Sequence, residues 1–271
     1  MIYKKQQILT DDQFRLLRQT LNRANGVFVV LGSGFKMNDS CLTYSENQEL
    51  MGLHSDQIEV QKDAWKNVWS KTTRTPTHPF LIAYPAWMRT SPLPASVQPL
   101  FHVFKSSVMD CVSEVTGSNV NLFELNGNIS VGMSQIDNVE QKVSSLSDID
   151  SLIPLFPIEK EKYQCRKKTV GRFEMTVEHF SVNNFLFLGC SSQNEIHASF
   201  FNRALNKSIH DKINIVTANT NNDNFMIEHS TMGFCCDAKA FLDELHERLL
   251  NDNPNDEDSY MNVCKKLGLC S

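Results

Sequence analysis

Three glycine-centred segments hold the residues of this chain best suited to chemistry: Gly32-Ser33-Gly34, Asn126-Gly127 and Gly189-Cys190-Ser191. Each closes an apolar run that reads as a strand, and in a parallel sheet ligands bind outside the carboxyl ends of the strands. Glycine there lets the backbone approach a phosphate closely while its amides donate to it. A tight turn asks for the same residue on steric grounds alone, so a Gly-x-Gly fragment in isolation leaves both readings open. The sequence offers no rival active site. Its eight histidines, among them His102 and His179, show no ligand spacing and no HExxH pattern, and there is no P-loop, G-x-S-x-G or C-x-x-C. His102 and His179 could reach a cleft. Cys190 stands at a strand end, where a low-pKa thiol is conceivable, although a buried inert thiol is the commoner state of such a residue.

The elements that must position these loops are legible in places. Thr10-Asp11-Asp12-Gln13 forms a capping box. Phe14, Leu17, Leu21 and Ala24 follow at helical spacing, with Gly26 placed to end the helix. Val27-Phe28-Val29-Val30-Leu31 then suits a strand buried on both faces. Strands are also expected at Val120 to Leu125, Phe185 to Leu188 and Ile213 to Thr217. A helix should span roughly Glu195 to His210, and Asp237 should cap a last helix carrying Phe241, Leu242, Leu245 and Leu249. Between about residues 40 and 105, six prolines from Pro76 to Pro99 argue for extended connections in an irregular lobe. Trp65 and Trp69 share one helical face there, as packing residues. Residues 134 to 152 are polar and read as a surface excursion; beyond residue 250 the composition suggests an acidic linker and a tail.

Composition narrows the function classes. The 271 residues carry a net charge of -5, with no basic run interleaved with aromatics, which argues against nucleic-acid partners. No stretch approaches the roughly 20 apolar residues of a membrane span, and the first residues lack the apolar run of a secretory signal. The expected compartment is cytoplasmic, and the eight scattered cysteines read as reduced thiols.

The order of these features resembles the sirtuin family, the NAD-dependent protein deacylases, over most of residues 10 to 250. Gly32-Ser33-Gly34-Phe35 looks like the family's G-A-G-I, and Tyr44 falls on the aromatic of its D-F-R. The run from Ser106 to Ser113 lies where the family reads T-Q-N-I-D-G-L-H. Thr116-Gly117 resembles A-G, Phe123-Glu124-Leu125-Asn126-Gly127 resembles V-E-L-H-G, and Phe185 to Ser191 resembles the strand leading into G-T-S. The departures fall on the chemistry. Asn126 replaces the histidine that serves the family as general base, and an amide has no usable proton-accepting pKa near neutrality. Val108 replaces the asparagine of Q-N-I-D that helps hold the nicotinamide end and Ser107 replaces its glutamine, leaving only Asp110; Thr43 and Ser45 replace the acid and arginine of D-F-R. The two C-x-x-C pairs of the family's structural zinc are missing, with Cys165 the only cysteine between Asn126 and Cys190.

The resemblance implies an α/β fold, a Rossmann-like parallel sheet flanked by helices with a small irregular second lobe lacking the zinc module. It spans one domain over residues 1–250, with 251–271 as linker and tail. NAD or ADP-ribose would be held by Gly32, Ser33, Gly34, Tyr44, Asp110, Asn126, Gly189 and Ser191, with no catalytic residue and no metal ligand assigned: a pseudoenzyme. Two alternatives stand beside it. One is a non-enzymatic protein-interaction module on the same scaffold, its cleft filled by side chains such as Phe35 or Tyr44 and its segment from Asn251 a docking tail. The other is a divergent NAD hydrolase or ADP-ribosyl transferase.

Overall fold

The computed structural model describes residues 7–22, 24–32, 34–35, 57–71, 77–90, 100–106, 112, 114–124, 127–154, 182–220, 224–252 and 258–270. In chain order the elements are α1 (Asp11–Asn22), β1 (Gly26–Leu31), α2 (Ile58–Lys71), α3 (Pro79–Met88), β2 (Leu100–Lys105) and β3 (Val120–Glu124). The second lobe follows as β4 (Val131–Ser134), β5 (Glu140–Lys142), α4 (Leu146–Ser151) and β6 (Leu152–Pro154). The chain then returns through β7 (Asn184–Leu188), α5 (Glu195–His210), β8 (Asn214–Asn219), α6 (Asn224–Glu228), β9 (Met232–Cys235), α7 (Ala238–Leu250) and α8 (Tyr260–Lys266).

Six strands pair in parallel in the order β3-β2-β1-β7-β8-β9. Counted within this sheet the order is 3-2-1-4-5-6, the doubly wound arrangement whose direction of winding reverses between its first and fourth strands. The apolar runs explain why. Along β1, Val27, Val29 and Leu31 face a core completed by α1, α3, α7 and α8, while Phe28 and Val30 face one completed by Phe200, Phe201 and Ala204 of α5. A strand apolar on both faces is stable only between two helical layers. No helix among the described residues is long and apolar enough to cross a membrane.

Local signals behave as their chemistry requires at several ends. Gln13 N–H donates to Thr10 Oγ1 at 3.2 Å and Thr10 N–H to Gln13 Oε1 at 2.9 Å, closing the capping box; Asp237 accepts from Ala240 N–H at 2.8 Å. Gly26, expected to end α1, instead opens β1: the helix stops at Asn22, and Gly26 lies flush against the Leu100 carbonyl of β2.

Among its described residues, the stretch expected to be irregular holds two helices and a central strand. Pro79 occupies the first turn of α3, where a missing N–H costs nothing. Burial of Phe80, Leu81, Ala83, Tyr84 and Met88 then carries the helix past Pro85. Trp65 of α2 is fully buried, donates from Nε1 to the Ile129 carbonyl at 2.8 Å, and anchors a separate core with Val143, Ile149 and Leu152. The polar excursion at 134–152 is therefore mostly the ordered second lobe, a three-stranded antiparallel sheet in the order β5-β4-β6. Three of its apolar residues, Val143, Ile149 and Leu152, join one buried cluster with Trp65, a contact that a local hydropathy reading cannot see. Near the C-terminus, α8 packs on α3 and α7: Tyr260 meets Trp87 edge-on at 5.5 Å, and its hydroxyl lies 2.7 Å from His246 Nδ1.

Candidate functional site

At the reversal of strand order the carboxyl ends of β1 and β7 lie side by side, and the glycines meet there. Gly32 N–H donates to the Leu188 carbonyl at 2.9 Å, Gly34 N–H to Gly189 at 3.0 Å, and Gly189 N–H to Ala218 of β8 at 2.9 Å. Gly189 has φ +64°, a left-handed conformation that favours glycine. A Cβ on Gly32 would stand 2.1 Å from the Gly189 oxygen. The glycines thus serve the close approach of two strand ends, and the Gly32 and Gly34 amides are engaged with β7 carbonyls. Phe35, just beyond, is buried in the core facing α1 and α7.

The next turn is pinned from several sides. Cys190 is fully buried, its thiol donating to the Val30 carbonyl at 3.3 Å, and Asn219 Nδ2 donates to the Cys190 carbonyl. Asn194 caps α5 by accepting from the amides of Ile196 at 3.1 Å and His197 at 3.2 Å. The positive end of this helix therefore opens beside the paired glycine loops, as an anion site in this class of sheet requires. Ser106, immediately after β2, lies 3.1 Å by its Oγ from His197 Nε2. Burial holds His197 down at about 4, against a smaller upward pull from the Ser191 backbone.

His102, a possible cleft residue by sequence, sits within β2, buried in a three-ring cluster with Phe28 at 5.7 Å and Phe123 at 6.2 Å. Burial pushes it down to about 4, so it is a neutral ring of the sheet face. One strand end further along, fully buried Lys105 pairs with Glu124 at 2.8 Å, and Glu124 accepts from Asn128 at 3.0 Å. This contact ties β2, β3 and the start of the second lobe together. Glu124→Ala should lower stability by roughly 2 kcal/mol, since it removes a charged hydrogen-bond partner from a buried ammonium, and urea unfolding at neutral pH measures it.

Of the residues expected to form the site, Gly32, Gly34, Gly189 and Ser191 are brought together here. Ser33, Tyr44, Asp110 and Asn126 lie outside the described residues, as do Ser107, Val108 and His179. Lys105, His197 and Asn219 carry no sequence signal of a site role, whereas Ser106 and Glu124 lie within runs that resemble family motifs; His197 could be noticed only as the third helical residue after the Asn194 cap.

No protein-family model matches the sequence, and no curated protein matches it. Solved structures do. The chain is similar to Sir2Tm bound to a propionylated peptide, at 11% identity and TM-score 0.57, covering 95% of this chain and all of that one. It is similar to Sir2 with a p53 peptide and NAD+, at 14% identity and TM-score 0.60, covering 90% and 99%. A histidine-to-asparagine mutant of a Sir2 homologue in complex with ADP-ribose matches at 15% identity and TM-score 0.57, covering 97% and 100%. At such identities the likeness speaks of architecture alone: this chain has the sirtuin fold.

Proposed function

We propose that the protein binds NAD or ADP-ribose at the carboxyl ends of β1 and β7 and does not deacylate. The observation that carries this reading is the meeting of Gly32, Gly34 and Gly189 at the reversal of strand order, beside the N-terminus of α5, in a fold shared with proteins seen with NAD+ and ADP-ribose. A pyrophosphate there would meet a helix dipole of favourable sign. The Gly32 and Gly34 amides are spent on protein carbonyls and the Ile196 and His197 amides on the Asn194 cap, so the attraction for an anion at the start of α5 is that of the helix dipole.

The chemistry fits less well. Asn126 cannot accept a proton near neutrality, and His102 is packed inside the sheet. A histidine-to-asparagine change in this fold is compatible with bound ADP-ribose in a Sir2 homologue. That precedent supports binding without the base. A four-cysteine zinc site does not fit either, because Cys165 is alone between Asn126 and Cys190 and the second lobe is built on the apolar core around Trp65.

Titration calorimetry with ADP-ribose and NAD should give saturable binding, while an acetyl-lysine peptide with NAD stays acetylated and no nicotinamide is released. NAD-dependent deacylation that disappears in Asn126→Ala would overturn the pseudoenzyme reading. Nicotinamide release without a peptide would favour an NAD hydrolase, and absence of binding to either nucleotide would favour a protein-interaction module.

A further inference from the structure

Ser106 and His197 are 91 positions apart, yet their side chains meet at the crevice between sheet and helix. Ser106 donates twice to the Leu31 carbonyl, the last of β1: from its amide at 3.0 Å and from its hydroxyl at 3.1 Å. His197 Nε2 lies 3.1 Å from the same hydroxyl oxygen, and both residues are buried, Ser106 6% and His197 2% exposed. A Ser–His contact at a strand end invites a nucleophile-and-base reading. The surrounding hydrogen bonds favour a different one. A carbonyl can only accept, so with the hydroxyl donating to Leu31, Oγ accepts from Nε2. On the other side of the ring, the Ser191 amide donates to Nδ1 at 3.5 Å, which selects the same tautomer. In this arrangement Nε2 carries its proton toward Ser106 and acts as donor in the contact.

We infer that His197 and Ser106 form a latch that fixes the Gly189–Ser191 turn and the first turn of α5 against the end of β1, with His197 as a positioning residue for the anion site. The latch spans the reversal of strand order: Leu31 belongs to β1, Ser106 to the end of β2, and Ser191 to the loop after β7. A ligand phosphate at the start of α5 gains only if that turn is already in place, because ordering it on binding would subtract from affinity. The inference rests on the proposed ADP-ribose site for its ligand, while the latch itself is a property of the free protein.

The test compares His197→Phe, which fills the space without hydrogen bonds, with His197→Gln, whose amide can donate toward Ser106, and with Ser106→Ala. In calorimetry His197→Phe should bind ADP-ribose about tenfold more weakly, the size of one lost hydrogen-bonded constraint. His197→Gln should recover most of the affinity, Ser106→Ala should match the Phe variant, and the double variant should add little. Amide hydrogen exchange in the ligand-free proteins should quicken at residues 189–191 in His197→Phe and return toward wild type in His197→Gln. Wild-type affinity in the Phe variant, or Gln behaving like Phe in both readouts, overturns the latch. If the wild type binds no ADP-ribose, the proposed function has failed, and the exchange result alone decides the latch: unchanged protection at 189–191 overturns it. If His197→Phe does not fold, Ser106→Ala carries the comparison.

Discussion

Gly189→Ala is expected to remove most of the stability of this protein, by about 4 kcal/mol or more if the left-handed backbone, the overlap and a lost hydrogen bond are added. At φ +64° an alanine is already strained. Its Cβ would also lie 2.2 Å from the Phe35 nitrogen and 2.4 Å from the Gly34 carbonyl carbon. These neighbours are backbone and cannot rotate away, so the two loops must part and break the Gly34–Gly189 bond at 3.0 Å. Gly32→Ala should behave similarly, since its Cβ meets the Gly189 oxygen at 2.1 Å. Gly268 separates the two contributions: it has φ +69° but no heavy atom within 4 Å of its Cβ site, so Gly268→Ala should cost only about 1 kcal/mol. Urea unfolding of the three variants measures the difference. Equal costs at Gly189 and Gly268 would mean that the loops are not packed backbone to backbone. Against a total of about 5–15 kcal/mol for an ordinary domain, the larger loss would show first as poor recovery of folded protein.

The glycine loops were the most legible part of the candidate site, because a residue without a side chain leaves a mark in sequence wherever two backbones touch. What they are for was less legible. Sequence suggests amides presented to a phosphate, whereas the described Gly32 and Gly34 amides close the gap between β1 and β7. Buried strands with unbroken apolar runs, such as Val27 to Leu31 and Phe185 to Leu188, announce themselves for a similar reason: both faces are covered, so every position is apolar. Strand β2 does not. It follows a proline-rich stretch and contains His102 and Lys105, two residues rarely buried. Their partners, the rings of Phe28 and Phe123 and the carboxylate of Glu124, come from other strands. The second lobe is hidden in the same way, since the exposed strand Glu140–Lys142 has no apolar face and relies on β4 for its place. The Ser106–His197 contact defeats spacing altogether, because the sheet order, not the sequence, makes those residues neighbours.

Acidification should destabilise the protein well before its carboxylates protonate, and the cause is those buried rings. His102 and His197 are each held at about 4 by burial, against about 6.5 for an exposed imidazole. The folded state keeps both neutral, while the unfolded chain takes up protons as soon as the pH drops through 6.5. Stability from these groups is therefore whole above pH 6.5, falls as pH decreases, and stops falling near pH 4, where the folded rings also protonate. At about 1.4 kcal/mol per pH unit, each ring accounts for up to about 3 kcal/mol over that window. His246, also lowered to about 4 but only half-buried, adds a smaller, solvent-screened share. Asp243, held at about 2 chiefly by its hydrogen bond from His78, enters only below the ordinary carboxylate range. Urea unfolding between pH 7 and 4.5 should give a slope near pH 5 of about two protons taken up on unfolding. His102→Phe keeps a ring beside Phe28 and Phe123 and removes the titrating group, so it should lower that slope by about one proton whatever its effect on stability at neutral pH. An unchanged slope would place the acid sensitivity elsewhere, with His197→Gln the next variant to read.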